Sequence, residues 1–142
     1  MKQRVITHFF KGESANKFRD LAEKYSNNKI GNIIRKGAID RINWHKKNGD
    51  EIVIVSASVD LWLKPWCDRN AIKLISTEVE VEEDTITGKL IGKNCWGPEK
   101  VKRIKSLYNL KEYSEIHVYG DSRGDKEMLE LTDESYFKPF RD

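Results

Sequence analysis

The pattern of apolar positions changes its period along the chain, and this change predicts the order of the elements. Apolar residues recur every three or four positions over Phe18–Tyr25 and over Ile33–Lys47, which predicts two amphipathic helices. Ser14 is placed to cap the first helix, and Gly49 is placed to end the second in a left-handed turn. Gln3–Phe10 is rich in β-branched residues, and its pattern leaves a helix end and a strand both open.

Three short segments further along the chain predict buried strands. They are Ile52–Val55, Ile72–Ile75 and Glu115–Tyr119, and the first is a continuous β-branched run typical of a parallel strand covered on both faces. Helices are predicted over Val59–Arg69 and from Pro98 to about Tyr108, since proline fits the first turn of a helix. Helices and strands therefore alternate. The predicted fold class is α/β, with a three-layer, Rossmann-like parallel sheet as its core.

A small β-hairpin is predicted between the second strand and the last long helix. Glu and Val alternate over Glu78–Glu83, and a second β-like run follows over Thr85–Ile91. We expect this hairpin to face solvent, with its acidic run as a solvated face.

Composition narrows the class of protein. The chain has 142 residues, 35% of them charged, and its net charge is only +3, so a basic face for nucleic acid is not expected. Its apolar runs are far shorter than a membrane span, and its start has no signal-peptide pattern, which together predict a cytoplasmic protein without a membrane partner. Cys67 and Cys95 fit no metal-binding spacing and are predicted to be packing residues.

Residues with chemical potential follow two of the predicted strands, at the edge where parallel sheets bind ligands. Ser56 and Ala57 come after the first strand, and their hydroxyl and N–H groups suit a phosphate oxygen. Asp121 and Asp125 come after the third strand. Lys100 lies in the first turn of a predicted helix, where the helix dipole disfavours a cation, so we expect it to serve something outside that helix. A hydroxyl, a lysine and two acids form a plausible set for a magnesium-bound phosphate.

The segments VSAS, NCWGPEKV and GDSRGDKEML, in this order, resemble the haloacid dehalogenase-like hydrolase superfamily, and within it the phosphoserine-phosphatase-like branch. The resemblance extends over nearly the whole chain. It implies a Mg²⁺-dependent phosphatase that acts on a small phosphorylated metabolite through an aspartyl-phosphate intermediate. It also implies a division into residues 1–48, a partial helical cap, and residues 49–142, the α/β core, in one compact unit.

The resemblance assigns a role to each candidate residue. Ser56 bonds a phosphoryl oxygen, and Ala57 offers its N–H group. Lys100 neutralises the phosphate and the nucleophile. Asp121 coordinates Mg²⁺, and Asp125 supports that metal site through water or through the lysine.

The chain departs from the family pattern at two places. Related phosphatases have the motif lysine a few residues earlier, where this chain has Trp96, so Lys100 either reaches the site from the next turn or lies on the surface. The family carries its nucleophile and its acid as DxD on a first strand, and this sequence contains no DxD. We therefore expect a truncated family phosphatase that is inactive alone. The alternative is a non-enzymatic module, derived from the same fold, that binds anions or another protein.

The missing strand has a structural consequence. In the family it lies between the strand that leads to Ser56 and the strand that leads to Asp121, so both would have open edges here. We expect self-association, or pairing with a complementing N-terminal fragment, with Val5–Phe10 as the element most prone to move.

Simpler interpretations exist for several of these residues. Ser56 could be a helix N-cap, and Asp121 and Asp125 could be turn or capping residues. Arg123 could reach a substrate or pair with Glu127 on a helix surface.

The histidines do not suggest a catalytic triad. His45 is expected to pack or to cap a helix, and His8 and His117 are expected to have no acid or nucleophile near them in the sequence that would make a triad.

Overall fold

The computed structural model describes residues 14–25, 36–120 and 122–140. The chain divides into two compact units, Met1–Asn94 and Cys95–Asp142, and each is described by itself. The division predicted at residues 48 and 49 remains a prediction. The segment Gln3–Phe10 and Asp121, for which the sequence makes predictions, lie outside the described residues.

The first unit contains helices and a mixed sheet. Helices α1 and α2 match the two predicted amphipathic segments as far as the described residues extend, and α3 follows β1 directly. The bounds are α1 Ala15–Tyr25, α2 Lys36–Lys47, β1 Val53–Val59, α3 Asp60–Arg69, β2 Lys73–Glu82 and β3 Thr85–Ile91.

The sheet of the first unit has the strand order β1-β2-β3. β1 and β2 are parallel, with Val53 opposite Lys73, and β2 and β3 are antiparallel, with Glu78 opposite Ile91. The second predicted strand and the first arm of the predicted hairpin therefore form one long strand. This is possible because the first half of β2 pairs with β1 and its second half pairs with β3.

The hairpin shields a hydrophobic core. Glu78 is exposed, as predicted, but the residues between the acidic positions are not solvated, so the expectation of a hairpin facing solvent was wrong for one of its faces. Each large apolar side chain of the core contributes about 2 kcal/mol of burial free energy. The core cluster comprises Ala15, Phe18, Leu61, Val79 and Ile86.

The helix ends follow the sequence signals. Ser14 Oγ accepts a hydrogen bond from Lys17 N at 3.3 Å, so Ser14 caps α1, and the Asp84 side chain adds a second cap by accepting from Asn16 N at 2.9 Å. Gly49 has φ 75°, and Asp50 N donates to His45 O at 3.0 Å. This pair of features is a Schellman ending of α2, which needs a left-handed residue at Gly49.

The second unit carries a parallel strand pair and short helices. The predicted helix after Pro98 is confirmed, and the third predicted strand is shifted by a few residues. Its partner strand β5 was not predicted, because a segment of three residues has no readable period. The bounds are α4 Pro98–Leu107, a 3-10 turn Leu110–Glu112, β4 Val118–Gly120, a 3-10 turn Arg123–Asp125, α5 Lys126–Leu129 and β5 Ser135–Phe137.

Both cysteines are buried free thiols, as the packing prediction requires. Burial raises the pKa of the Cys67 thiol to about 11, which keeps it protonated and unreactive at neutral pH. Over the described parts of the chain, no helix combines the length and the apolar character needed to span a bilayer.

Candidate functional site

A buried ion pair joins Lys100 to Asp125 in the second unit. Lys100 lies in the first turn of α4, and its Nζ donates to Asp125 Oδ1 at 2.6 Å across 25 residues of sequence. The two side chains are 7% and 9% exposed. The sequence prediction that this lysine serves a group outside its own helix is therefore met by the contact. Burial removes the hydration of both charges and so costs free energy, which makes such a pair an expensive way to stabilise a fold.

Asp125 is held by a second set of bonds on its other oxygen. Ser122 donates to Asp125 Oδ2 from its backbone N at 3.2 Å and from its hydroxyl at 3.3 Å. These contacts form a capping box around the 3-10 turn. The turn role that the sequence left open is thus present, but it shares the carboxylate with Lys100.

Two glycines allow this close packing. A Cβ on Gly120 would lie 2.7 Å from Asp125 Cβ, and a Cβ on Gly124 would lie 2.4 Å from Trp96 Nε1. Glycine is therefore required at Gly120, whereas at Gly124 it leaves room for the exposed ring of Trp96. Trp96 lies against Gly124, while Lys100, one turn later, reaches the carboxylate.

Ser56 and Ala57 lie in the first unit, inside β1 rather than after it. The parallel register runs from Val53 to Ser56 and resumes only at Val59, so a bulge separates residues 57 and 58 from the ladder. Ser56 Oγ accepts from Ser58 N at 3.1 Å. Since α3 begins at Asp60, this hydroxyl does not cap the helix as the simpler interpretation proposed.

Asp60 is a half-buried acid that the sequence pattern did not single out. Its Oδ1 accepts from Val79 N at 3.3 Å, which ties the start of α3 to β2. Burial raises the pKa of the Asp60 carboxyl, and the N–H bonds from Val79 and Leu61 offset part of that rise. The signal was available, because an acid directly after a strand and at the first position of a helix is a common anchoring pattern.

Arg123 is exposed and lines an open cleft of about 610 Å³ in the second unit. Lys126 and Lys138 lie along the same cleft, together with the apolar Leu129 and Phe137. The lining is therefore mixed, with three cations and one carboxylate, Glu130, beside the apolar side chains.

The two described histidines have different surroundings. His45 is buried and its Nδ1 lies 2.8 Å from Asp50 Oδ2, which agrees with the packing role predicted for it. His117 Nε2 lies 3.0 Å from Glu134 Oε2 and 3.5 Å from Glu115 Oε2.

Comparisons with known proteins identify the family of the chain. The family model of haloacid dehalogenase-like hydrolases matches residues 1–130. Protein CicA of Caulobacter vibrioides is 30% identical over 143 residues, which cover 99% of this chain and 64% of the relative. The chain thus spans a little less than two thirds of that curated relative.

Solved structures show the same fold. A HAD family hydrolase from Salmonella enterica serovar Typhi aligns with a TM-score of 0.71 and 18% identity, over 90% of this chain and 42% of that one. A phosphoserine phosphohydrolase-like protein from Francisella tularensis aligns with a TM-score of 0.60 and 20% identity, over 79% of this chain and 53% of that one. With a family match over most of its length and the same α/β fold as these structures, the chain belongs to the haloacid dehalogenase-like hydrolases.

Proposed function

We propose that this chain carries part of the catalytic machinery of a Mg²⁺-dependent phosphate-monoester hydrolase and does not hydrolyse phosphate esters by itself. The observation that supports the proposal best is the buried contact between Lys100 and Asp125, 2.6 Å long and formed across 25 residues. By the resemblance, Asp125 matches a motif position of the family, and Lys100 reaches the same site from one turn after the position of the motif lysine. Burial of such a pair costs several kcal/mol per ion, so a purely structural need for it is weak.

In this proposal Lys100 supplies positive charge for a phosphoryl group. Its surroundings exclude water, and a charge acts more strongly where the dielectric is low. Its pairing with Asp125 fixes the position of the ammonium group before any ligand arrives, which avoids reorganisation during the reaction.

Ser56 and Ala57 are proposed to bind a phosphoryl oxygen. Ser56 Oγ accepts from Ser58 N, so the hydroxyl hydrogen is the atom that it can donate. The bulge between Ser56 and Val59 removes residues 57 and 58 from the strand ladder.

The donor set fits Mg²⁺, which prefers carboxylate oxygens and keeps several of its waters. Both oxygens of Asp125 already accept bonds from Lys100 and Ser122, so an outer role, through water, suits this residue better than direct contact with the ion. Asp121 is the proposed direct ligand. When bound, Mg²⁺ would neutralise charge on the phosphate.

The proposed site residues do not include a nucleophile. The family uses the first acid of a DxD as nucleophile, and the 142 residues contain no DxD. The proposed substrates of the complete enzyme are small phosphorylated metabolites. Phosphoserine is the first to test, because the Francisella protein is phosphoserine phosphohydrolase-like. Self-association, or binding of a complementing N-terminal segment, remains a prediction that sedimentation of the chain with and without such a segment would check.

The activity test compares the chain with its Asp121→Asn variant on an aryl phosphate in the presence of Mg²⁺. We expect equal, background rates, because both lack a nucleophile. A Mg²⁺-dependent rate that the substitution abolishes would show that another acid attacks phosphorus, and it would overturn the proposal of inactivity.

The binding test follows backbone amide shifts while inorganic phosphate is titrated. Binding at millimolar concentration, about 4 kcal/mol, is expected, with shifts at Ser56 and Ala57. Ser56→Ala should weaken it, whereas Ser106→Ala, which removes an exposed hydroxyl that bonds only within α4, should not. Unmoved amides at Ser56 and Ala57 would contradict the assigned phosphate contact.

A further inference from the structure

Three side chains of the second unit converge at the ends of β4 and β5 that lie away from the Asp125 turn. They are Glu115, His117 and Glu134, and their ligand atoms all lie within 4.8 Å of one another. His117 Nε2 is 3.0 Å from Glu134 Oε2 and 3.5 Å from Glu115 Oε2. The imidazole side chain is 18% exposed and the carboxylates are more open, so the group is reachable from solvent.

The backbone fixes these positions. Glu115 and His117 precede β4 at a spacing of two residues, and Glu134 directly precedes β5. Val118 N donates to Glu134 O at 3.0 Å, and Val118 pairs with Ser135, which sets the register of the two segments. The ring of His117 stacks on Tyr136 with an interplanar angle of 9°. The packing of the ring against Tyr136 therefore fixes the direction in which Nε2 of His117 points.

One N–H group on Nε2 cannot donate a full hydrogen bond to both carboxylates. Nε2 of an imidazole carries at most one N–H, so it can donate fully to only one of the two oxygens at a time. A divalent cation would bond to both oxygens and to the nitrogen together. It would also neutralise the two negative charges that the cluster brings close to one another.

The two distances at Nε2 are compatible with zinc. Zinc bonds to nitrogen and oxygen at about 2.0–2.1 Å, so in a tetrahedral site neighbouring ligand atoms lie about 3.4 Å apart. The two distances at Nε2, 3.0 and 3.5 Å, bracket that value. We propose that Glu115, His117 and Glu134 form a zinc site in which water completes the coordination, and that the ion ties β4 to β5. This site is independent of the proposed phosphatase function.

The experiment titrates the full chain with zinc in a calorimeter, with excess Mg²⁺ present to occupy sites built from carboxylates alone. We expect one zinc per chain in the wild type and loss of that binding in His117→Gln. The matched control is His45→Gln, since His45 also contacts a carboxylate but faces only Asp50. This control should bind like the wild type. Absence of binding in the wild type, or equal binding in His117→Gln, would overturn the proposal and leave a histidine ion pair as the role of the cluster.

A second variant keeps the test decisive if His117→Gln does not fold. Glu115 is 70% exposed, so Glu115→Gln should fold normally. It should weaken zinc binding at least about tenfold. Removing a group that only hydrogen-bonds to a metal ligand already lowers metal affinity by that factor, and Glu115 is proposed to bond to the ion itself. Imidazole nitrogen spectra give an independent signal: zinc should shift Nε2 of His117 and leave His45 unchanged. The opposite pattern would assign the ion to another part of the chain.

Discussion

Among the described residues, the carboxylates Asp60, after β1, and Asp125, after β4, both follow parallel strands, and the protein stabilises them in different ways. Asp60 is held by backbone N–H groups, foremost that of Val79 at 3.3 Å, and burial raises its pKa. Asp125 is more deeply buried, yet it has a lysine 2.6 Å away and a serine on its other oxygen. A carboxylate that anchors a helix needs only N–H donors, whereas a carboxylate paired with a buried cation is arranged to keep two charges in place.

This difference separates an acid that anchors a helix from one to which we assign a functional role in the proposal above. Asp60 is bonded to groups that would exist in any α/β protein with a helix start at this point. Lys100 and Asp125 come from segments 25 residues apart, and Gly120 is needed to let the Asp125 turn approach β4. Arrangements that require several special residues at once are those typical of a site.

The largest effect is expected from Lys100→Met. It leaves the carboxylate of Asp125 buried without its cation, and loss of one partner of a buried pair costs about 3–5 kcal/mol of unfolding free energy. Urea denaturation of the full chain would measure the loss.

The control for that variant is Lys36→Met. Lys36 also pairs with an aspartate, Asp40 at 2.8 Å, but its side chain is 89% exposed, so no measurable loss is expected. Replacing both members, Lys100→Met with Asp125→Leu, should recover much of the stability, since no charge then remains buried. Equal effects of the two single variants would mean that the Lys100 pair is hydrated in solution.

The second prediction concerns the glycines behind Asp125. Gly120→Ala places a methyl group 2.7 Å from Asp125 Cβ, which is close to the backbone and cannot swing aside, so a loss of about 1–3 kcal/mol is expected. Gly124→Ala meets the ring of Trp96, which is 48% exposed and can turn away, so its loss should be smaller. Trp96→Ala should therefore rescue Gly124→Ala and leave Gly120→Ala unchanged in urea denaturation. Rescue of both, or of neither, would contradict this distinction.

The sequence predicted much of the fold because the elements have strong periods. The helix after Pro98, the caps at Ser14 and Gly49, and the alternating Glu and Val residues of the hairpin all carry a local signal. The length of β2 and the existence of β5 could not be predicted, since both depend on pairing partners distant in sequence.

The sequence predicted which residues form the candidate site but not which of them contact one another. Motif spacing pointed to Lys100 and Asp125, but their contact depends on how the turn at Gly124 packs against Trp96. Asp60 was missed because a single acid at a helix start carries no sign of burial. The cluster around His117 was missed because Glu134 reaches it only through the register of β4 and β5.

The third prediction uses pH to test the role given to Asp60. Its folded pKa lies above the ordinary value of 3.8, so the native state holds this proton more tightly than the unfolded chain does. Stability from this group is therefore present at low pH and declines as pH rises from 3.8 through the raised folded value. Asp60→Asn keeps an acceptor for Val79 and should remove that decline, as measured by urea midpoints over this range. An unchanged pH profile would show that the carboxyl is hydrated.

The smallest effect on stability is expected from Ser56→Ala. The Ser56 hydroxyl accepts a local hydrogen bond from Ser58 N at 3.1 Å, and water can replace this bond, so a loss of about 0.5 kcal/mol is expected in urea denaturation. Thr87→Ala is the matched control, since Thr87 Oγ1 accepts from Lys89 N in the same local pattern on the hairpin. The two variants should be alike in stability but unlike in phosphate titrations, where only Ser56→Ala weakens binding. A loss of several kcal/mol in Ser56→Ala alone would make Ser56 a structural residue of β1. Its role would then be like that of Asp60, which anchors a helix, and unlike the role proposed for the Lys100 pair.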